Sequence, residues 1–247
     1  MFGIAIDNLR FEDLVVRIRE RVASREPGYI VTPNVDHICR LQHDADFQAA
    51  YADASMTLAD GMPIMWAGRL LGCPLQEKLS GSDMVPRLSA EAERLGLSVF
   101  LLGAAPGVGD EAAAVLRTRF PKLDIRGVYS PPLGFEQDPF ELETMIAAVR
   151  KAAPDICFVA LGSPKQEIVI HQHHAAMQVP VTLGIGAGLD FVAGRVKRAP
   201  RWMQRVGLEW LWRVCQEPRR LARRYFIDDT VFFGLLVREW LGRRSRT

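Results

Sequence analysis

LSVFLLGAAPGVGDEAAAVLRTRF, residues 97–120, runs from an unbroken apolar segment through a glycine turn into a stretch whose apolar residues recur at helical spacing. Continuous apolar character marks a strand buried on both faces, and Gly103 and Gly107 stand where the chain must turn sharply into the helix. The same unit recurs on both sides. YIVTPN (29–34), MTLAD (56–60), LDIRGVY (123–129), DICFVALG (155–162) and VPVTLGIGAG (179–188) read as buried strands. Helical patterns over 62–72, 83–95, 138–152 and 164–177 fall between them, and Gly96, Pro121, Pro154 and Pro180 stand where helices stop or strands begin. Residues 1–25 read as a strand and a helix preceding the alternation. The pattern predicts an α/β fold: a Rossmann-like, mostly parallel sheet flanked by helices.

In such a sheet ligands bind beyond the carboxyl ends of the strands. Here those ends are polar or glycine: Thr32, Asn34, Asp60, Gly103, Gly107, Gly162, Pro164, Lys165, Gln166, Glu167, Gly184, Gly186, Gly188 and Asp190. A series of them on one rim suits a polar, phosphate-bearing ligand. LLGAAPGVGDEA (101–112) fits either a phosphate contact at a helix N-terminus or a tight turn, and its spacing is not GxGxxG. GIGAGLDFVAG (184–194) resembles it, but Asp190 follows almost at once, without the acid some 20 residues on that a dinucleotide site uses. In LGSPKQE (161–167), Lys165, Gln166 and Glu167 open a helix where they could meet phosphate, base or sugar; Ser163 as N-cap with Gln166 three residues on is an equally good reading. Asp60 precedes a glycine-led helix and is either a cap or a general base toward a sugar hydroxyl.

Charge divides the chain. From Arg195 onward there are 14 Lys/Arg against five acids, about +9, and the overall charge of +2 leaves −7 for the preceding residues. Four of the five tryptophans lie in that tail. The division predicts an α/β body over 1–194 and a basic, helical appendage over 195–247 that meets an anionic partner. With Trp210, Trp212, Phe232, Phe233 and Trp240 on an apolar side, it would lie on a membrane surface; the alternative is a helix packed on the core with a solvated basic face. No apolar run is long enough to span a bilayer, the longest candidate being VFFGLLV (231–237). The N-terminus, MFGIAIDNLRFEDL, lacks the basic and apolar regions of a signal peptide, which predicts a cytoplasmic protein on the inner face of the cell membrane. Cys39, Cys73, Cys157 and Cys215 form no CxxC pair and read as core thiols. Asp44-Ala-Asp46 matches a DxD metal motif only formally, since it lies in a polar, helix-like segment with no strand before it, and HQHH (171–174) reads as an exposed helix face. No metal or cofactor is called for.

Seven segments in order, TPNVDHI (32–38), ADGMPIMWAGRLLG (59–72), SGSDM (80–84), LLGAAPG (101–107), ALGSPKQE (160–167), GIGAGLDFVAGRVKRAP (184–200) and GLEWLWRVCQEPRRLARR (207–224), resemble the WecG/TagA/CpsF family of bacterial glycosyltransferases. The resemblance covers nearly the whole chain. It implies inverting transfer of a hexose or N-acetylhexosamine, from UDP-N-acetylmannosamine, UDP-glucose or UDP-glucuronate, to a polyprenyl-diphosphate-linked saccharide in surface polysaccharide synthesis. The family's proposed catalytic aspartate falls on Asp60, with Thr32 and Asn34 beside it, and its tail arginines fall on Arg213, Arg220 and Arg223. Lys78 stands where the family pattern has arginine. With no credible metal motif, the charge growing on a departing diphosphate would meet arginines, which grip it bidentately; Arg198 and Arg201 join the other three as candidates. Folded over Asp60, the appendage would both hold the membrane and complete the site.

Two rival readings remain from the residues alone. A nucleic-acid-binding protein would use the basic tail and show steep salt dependence, and a nicotinamide oxidoreductase would need the dinucleotide fingerprint that is missing. Neither nucleic acid nor nicotinamide is the expected partner. Apolar surface on a mobile tail would also let two copies of the chain pair.

Overall fold

The computed structural model describes residues 1–200, 202–203, 206–216, 218 and 228–244. Its centre is a six-stranded sheet in the order β2-β1-β6-β5-β3-β4, with every pair parallel. The strands are β1 (Tyr29–Val31), β2 (Met56–Thr57), β3 (Ser98–Gly103), β4 (Asp124–Tyr129), β5 (Ile156–Ala160) and β6 (Val181–Gly184). All residues of β1, β3, β5 and β6 are buried, as apolar, β-branched runs with helices on both faces require. Each of the six expected strands is present, trimmed at its ends. The expected strand within residues 1–10 is not: Asp7 instead accepts from Thr57 N at 2.8 Å through its carboxylate and donates its own N–H to Thr57 O, tying an irregular segment to β2.

Side-chain alternation sorts the helices. Val99, Leu101, Ile156, Phe158, Val181 and Leu183 face α1 (Phe11–Ser24), α5 (Gly81–Leu95), α6 (Val108–Arg119) and α9 (Gly188–Val192). Phe100, Leu102, Cys157 and Val159 face α2 (Val35–Arg40), α3 (Ala45–Ala52), α4 (Met62–Leu70), α7 (Pro139–Ala152) and α8 (Lys165–Met177). This three-layer packing decides where a ligand fits. The loop after β6 leaves toward α9 on one face, whereas the loops after its neighbours β1 and β5 leave toward α2 and α8 on the other, so a crevice opens at their carboxyl ends.

The last elements are α10 (Glu209–Gln216) and α11 (Val231–Arg244). Phe232 is buried against Phe2, ring centroids 5.2 Å apart, and Leu235 is buried with it in the same core. Among the described residues no helix is long and apolar enough to cross a membrane. Two of the cysteines, Cys39 and Cys157, are buried; Cys73 is half-buried and Cys215 is exposed, so the last is no core thiol.

Candidate active site

Asp60 owes its position to the backbone on either side of it. Leu58 N and Asp60 N donate to Val31 O and Pro33 O at 2.8 and 3.0 Å, which carries the strand past the short β2 ladder to the rim. Gly61, at φ +93°, then turns the chain into α4, with Pro63 in its first turn. Burial raises the Asp60 carboxyl above the ordinary carboxylate range; a hydrogen bond from Ser80 and the charge of Lys78 act against this, and Asp83 and Glu209 add to it. A carboxylate so placed is a stronger base than a solvated one.

A cavity of about 510 Å³ opens beside Asp60, with Thr32, Asn34 and His37 on the β1 side, residues 160–163 after β5 and residues 185–187 after β6. Gly81, Ser82, Gln166, Asp190, Phe191, Val196 and Arg213 complete its wall. A smaller cavity of about 150 Å³ adjoins it, lined by Asp36, Lys78, Ser80, Glu209, Trp210 and Asp229 among others. Asn34, Asp60, Ser82, Phe191 and Arg213 border both spaces. Thr32 is 5% exposed, and the Asn34 side chain caps α2 by accepting from His37 N at 3.2 Å. Only glycine can occupy position 81, where a Cβ would stand 2.7 Å from Gly184 O; the close approach brings the N-terminus of α5 to the rim.

Gln166 links α8 to the glycine loop after β6. Its Oε1 accepts from Gly186 N at 3.1 Å, and its Nε2 donates to Glu167 Oε1 at 2.7 Å. Glu167 is buried, and burial pushes its carboxyl up to about 7. Lys165 turns away from the cavity into an ion pair with Glu136 at 2.5 Å. The helix begins at Lys165 with Pro164 as N-cap, so the expected Ser163 cap is displaced by one residue and makes no side-chain cap bond. Gly103 lies against Ala160 and Gly107 caps α6; neither lines either cavity.

The tail reaches Asp60 through α10. Arg213 sits 5.9 Å from the Phe191 ring centroid, and its buried Nε has no hydrogen-bond partner among the described residues. Arg198 is occupied differently: it pairs with Asp83 and, at 3.2 Å, with Glu209, while Lys78 pairs with the other Asp83 oxygen at 3.2 Å. This clasp fastens α10 to α5. Phe232 is buried, so it is not on an outward apolar face, unlike the 67% exposed Phe233; Trp212, half-buried, donates to Lys197 O at 3.0 Å. Arg201, Arg220 and Arg223 lie outside the described residues.

Sequence reasoning passed over several lining residues. Ser80 and Ser82 were within reach, since they flank the glycine of SGSDM; Phe191 carries no polar signal, and Glu209 stands 149 residues from Asp60. Asp44 is the N-cap of α3, accepting from Phe47 N at 3.0 Å. HQHH is not an exposed face: His171 bonds Tyr29 Oη at 3.1 Å and His174 packs on the same ring. Among the described residues no three His, Cys, Asp or Glu side chains come together as metal ligands.

The sequence matches the Glycosyl transferase WecG/TagA/CpsF family over residues 1–246. It is 34% identical over 204 residues to an N-acetylglucosaminyldiphosphoundecaprenol N-acetyl-beta-D-mannosaminyltransferase of Bacillus spizizenii, covering 83% of this chain and 77% of that one. The protein of the same name from Bacillus subtilis strain 168 is 34% identical over 181 residues, 73% and 68% of the two chains. With its polar crevice closed by an arginine-bearing helix, the chain belongs to the WecG/TagA/CpsF family of glycosyltransferases.

Proposed function

We propose that the protein transfers N-acetylmannosamine from its UDP derivative to an N-acetylglucosamine carried on polyprenyl diphosphate, with inversion at the anomeric carbon. The observation that carries this reading is the placement of Asp60, a half-buried carboxylate that borders two adjoining cavities, both of which Arg213 also lines. In a single displacement, the acceptor hydroxyl gives its proton to Asp60 and attacks the anomeric carbon from the face opposite UDP; the C–O bond to the diphosphate breaks with its electrons on UDP. Arg213 and the N-terminus of α5 meet the charge that grows there. The larger cavity has room for the nucleotide sugar, the smaller for the acceptor head, and the body (1–194) and appendage (195–247) each supply part of the wall. The lipid on the acceptor brings the enzyme to a membrane surface, consistent with the names of its relatives.

Incubating the purified protein with UDP-N-acetylmannosamine and a lipid-diphosphate-linked N-acetylglucosamine tests this. Mass spectrometry is expected to show addition of one N-acetylhexosamine and NMR a β linkage. An α-linked product, or transfer only from UDP-glucose or UDP-glucuronate, would refute the stereochemistry or the donor respectively.

A further inference from the structure

Beyond the smaller cavity a groove of about 620 Å³ runs between α4, α10 and α11. Pro63, Trp66, Ala67 and Leu70 form one wall, at the i, i+3, i+4, i+7 spacing that puts them on a single helix face, and Trp210 and Phe233 belong to the opposite side. Asp229 is the sole ionisable residue among the described residues that line it. Trp66, Leu70 and Phe233 are 46%, 55% and 67% exposed, so apolar surface is left open to solvent along its length. Gly207 closes its floor: a Cβ there would stand 2.6 Å from the Trp66 ring, so the tail is pressed directly onto α4. The groove is continuous with the active site, because Val35, Pro63, Gly207, Trp210 and Asp229 border both it and the smaller Asp60 cavity.

We propose that this groove binds the first isoprene units of the acceptor's polyprenyl chain. The inference rests on the transferase reading above and adds a site to it. An acceptor whose hydroxyl meets Asp60 and whose diphosphate lies near Lys78, in the smaller cavity, must send its hydrocarbon out of a polar pocket. The open face of α4 starts at Pro63, just beyond Asp60, and leads away for about 10 Å at the rise of an α-helix, so it offers a dry exit. A bilayer surface would be met by a convex apolar face; this one is concave and opens into the catalytic cavity. The groove therefore selects a chain rather than a surface, and it makes the lipid part of substrate recognition as well as a tether.

The test uses the full-length enzyme without membranes or detergent and three acceptors with one head, N-acetylglucosamine diphosphate, esterified to methyl, geranyl or farnesyl. Wild type is expected to show kcat/KM at least about tenfold higher for farnesyl than for methyl, since each buried methylene adds to binding. Trp66→Ser and Phe233→Ser, exposed side chains on opposite walls, are expected to bring that ratio close to one. Because the ratio compares two substrates on one preparation, loss of folded protein does not alter it, and either variant suffices if the other fails to fold. A wild-type ratio near one overturns the groove while leaving the transferase standing, and so does a ratio unchanged in both variants. Failure to use any of the three acceptors overturns both. Sedimentation that shows a dimer weakened by Trp66→Ser, with the ratio unmoved, assigns the groove to a second copy of the chain and overturns the proposal.

Discussion

Asp60 and Glu167 are both carboxylates raised by burial, yet they stand in different relations to the crevice. Asp60 borders it, whereas Glu167 lies behind Gln166 and holds that amide against Gly186. Asp60→Asn is expected to lower kcat by about 10²–10⁴-fold while leaving UDP affinity, measured by calorimetry, unchanged. The rate should also fall on the acid side at a pH above the ordinary carboxylate range, because the base must be ionised and burial opposes that. Glu167 makes a stability prediction with a defined sign. Its folded pKa of about 7 exceeds the unfolded value, so its contribution is full below the ordinary glutamate pKa and is lost as pH rises through about 7. The loss amounts to about 3 kcal/mol. Glu167→Gln, which keeps a neutral side chain at all pH, is expected to raise Tm at pH 8 and flatten its decline between pH 5 and 8; a parallel pH profile would contradict this.

At the scale of elements, the joint between α5 and α10 decides whether the tail is part of the site. Arg198, 24% exposed, holds Asp83 and Glu209 together, and its removal takes away the cation they share, leaving Asp83 with Lys78. Arg198→Ala is expected to cost about 2 kcal/mol, a fall in Tm of roughly 5 °C by calorimetry, and to raise the KM for the UDP-sugar. A loss of stability without any change in KM would make the clasp purely structural. None of this joint is legible in sequence, because Arg198 and Asp83 are 115 residues apart, and Arg198 on its own reads as a candidate for the diphosphate rather than as a partner of two carboxylates. The strands were legible for the opposite reason: β3 and β5 are local apolar runs whose burial on both faces leaves a mark in every residue. Lys165 illustrates the limit. Its place at a helix start was readable, but its partner Glu136 comes from the loop before α7, and pairing with it directs the side chain away from the cavity.

Across the whole molecule, a crevice at the sheet's carboxyl ends faces an arginine-bearing helix contributed by the last quarter of the chain. The polar strand ends located the rim in sequence, and Thr32, Asn34, Asp60, Gln166, Gly186 and Asp190 do line it, together with Arg213. What sequence could not give was the distance between these parts and Phe191, which the fold alone brings together. If the departing diphosphate is neutralised by Arg213 and the N-terminus of α5, turnover is expected to persist in EDTA, and strict dependence on added Mg²⁺ or Mn²⁺ would refute that arrangement. The most direct measurement is the turnover of Arg213→Ala on a short-tailed acceptor with no lipid surface present, where a membrane anchor has nothing to do. A fall in kcat of about 10²-fold is expected, the size of effect that follows loss of one donor to a developing anion; turnover at the wild-type rate would contradict the claim that body and tail form a single active site.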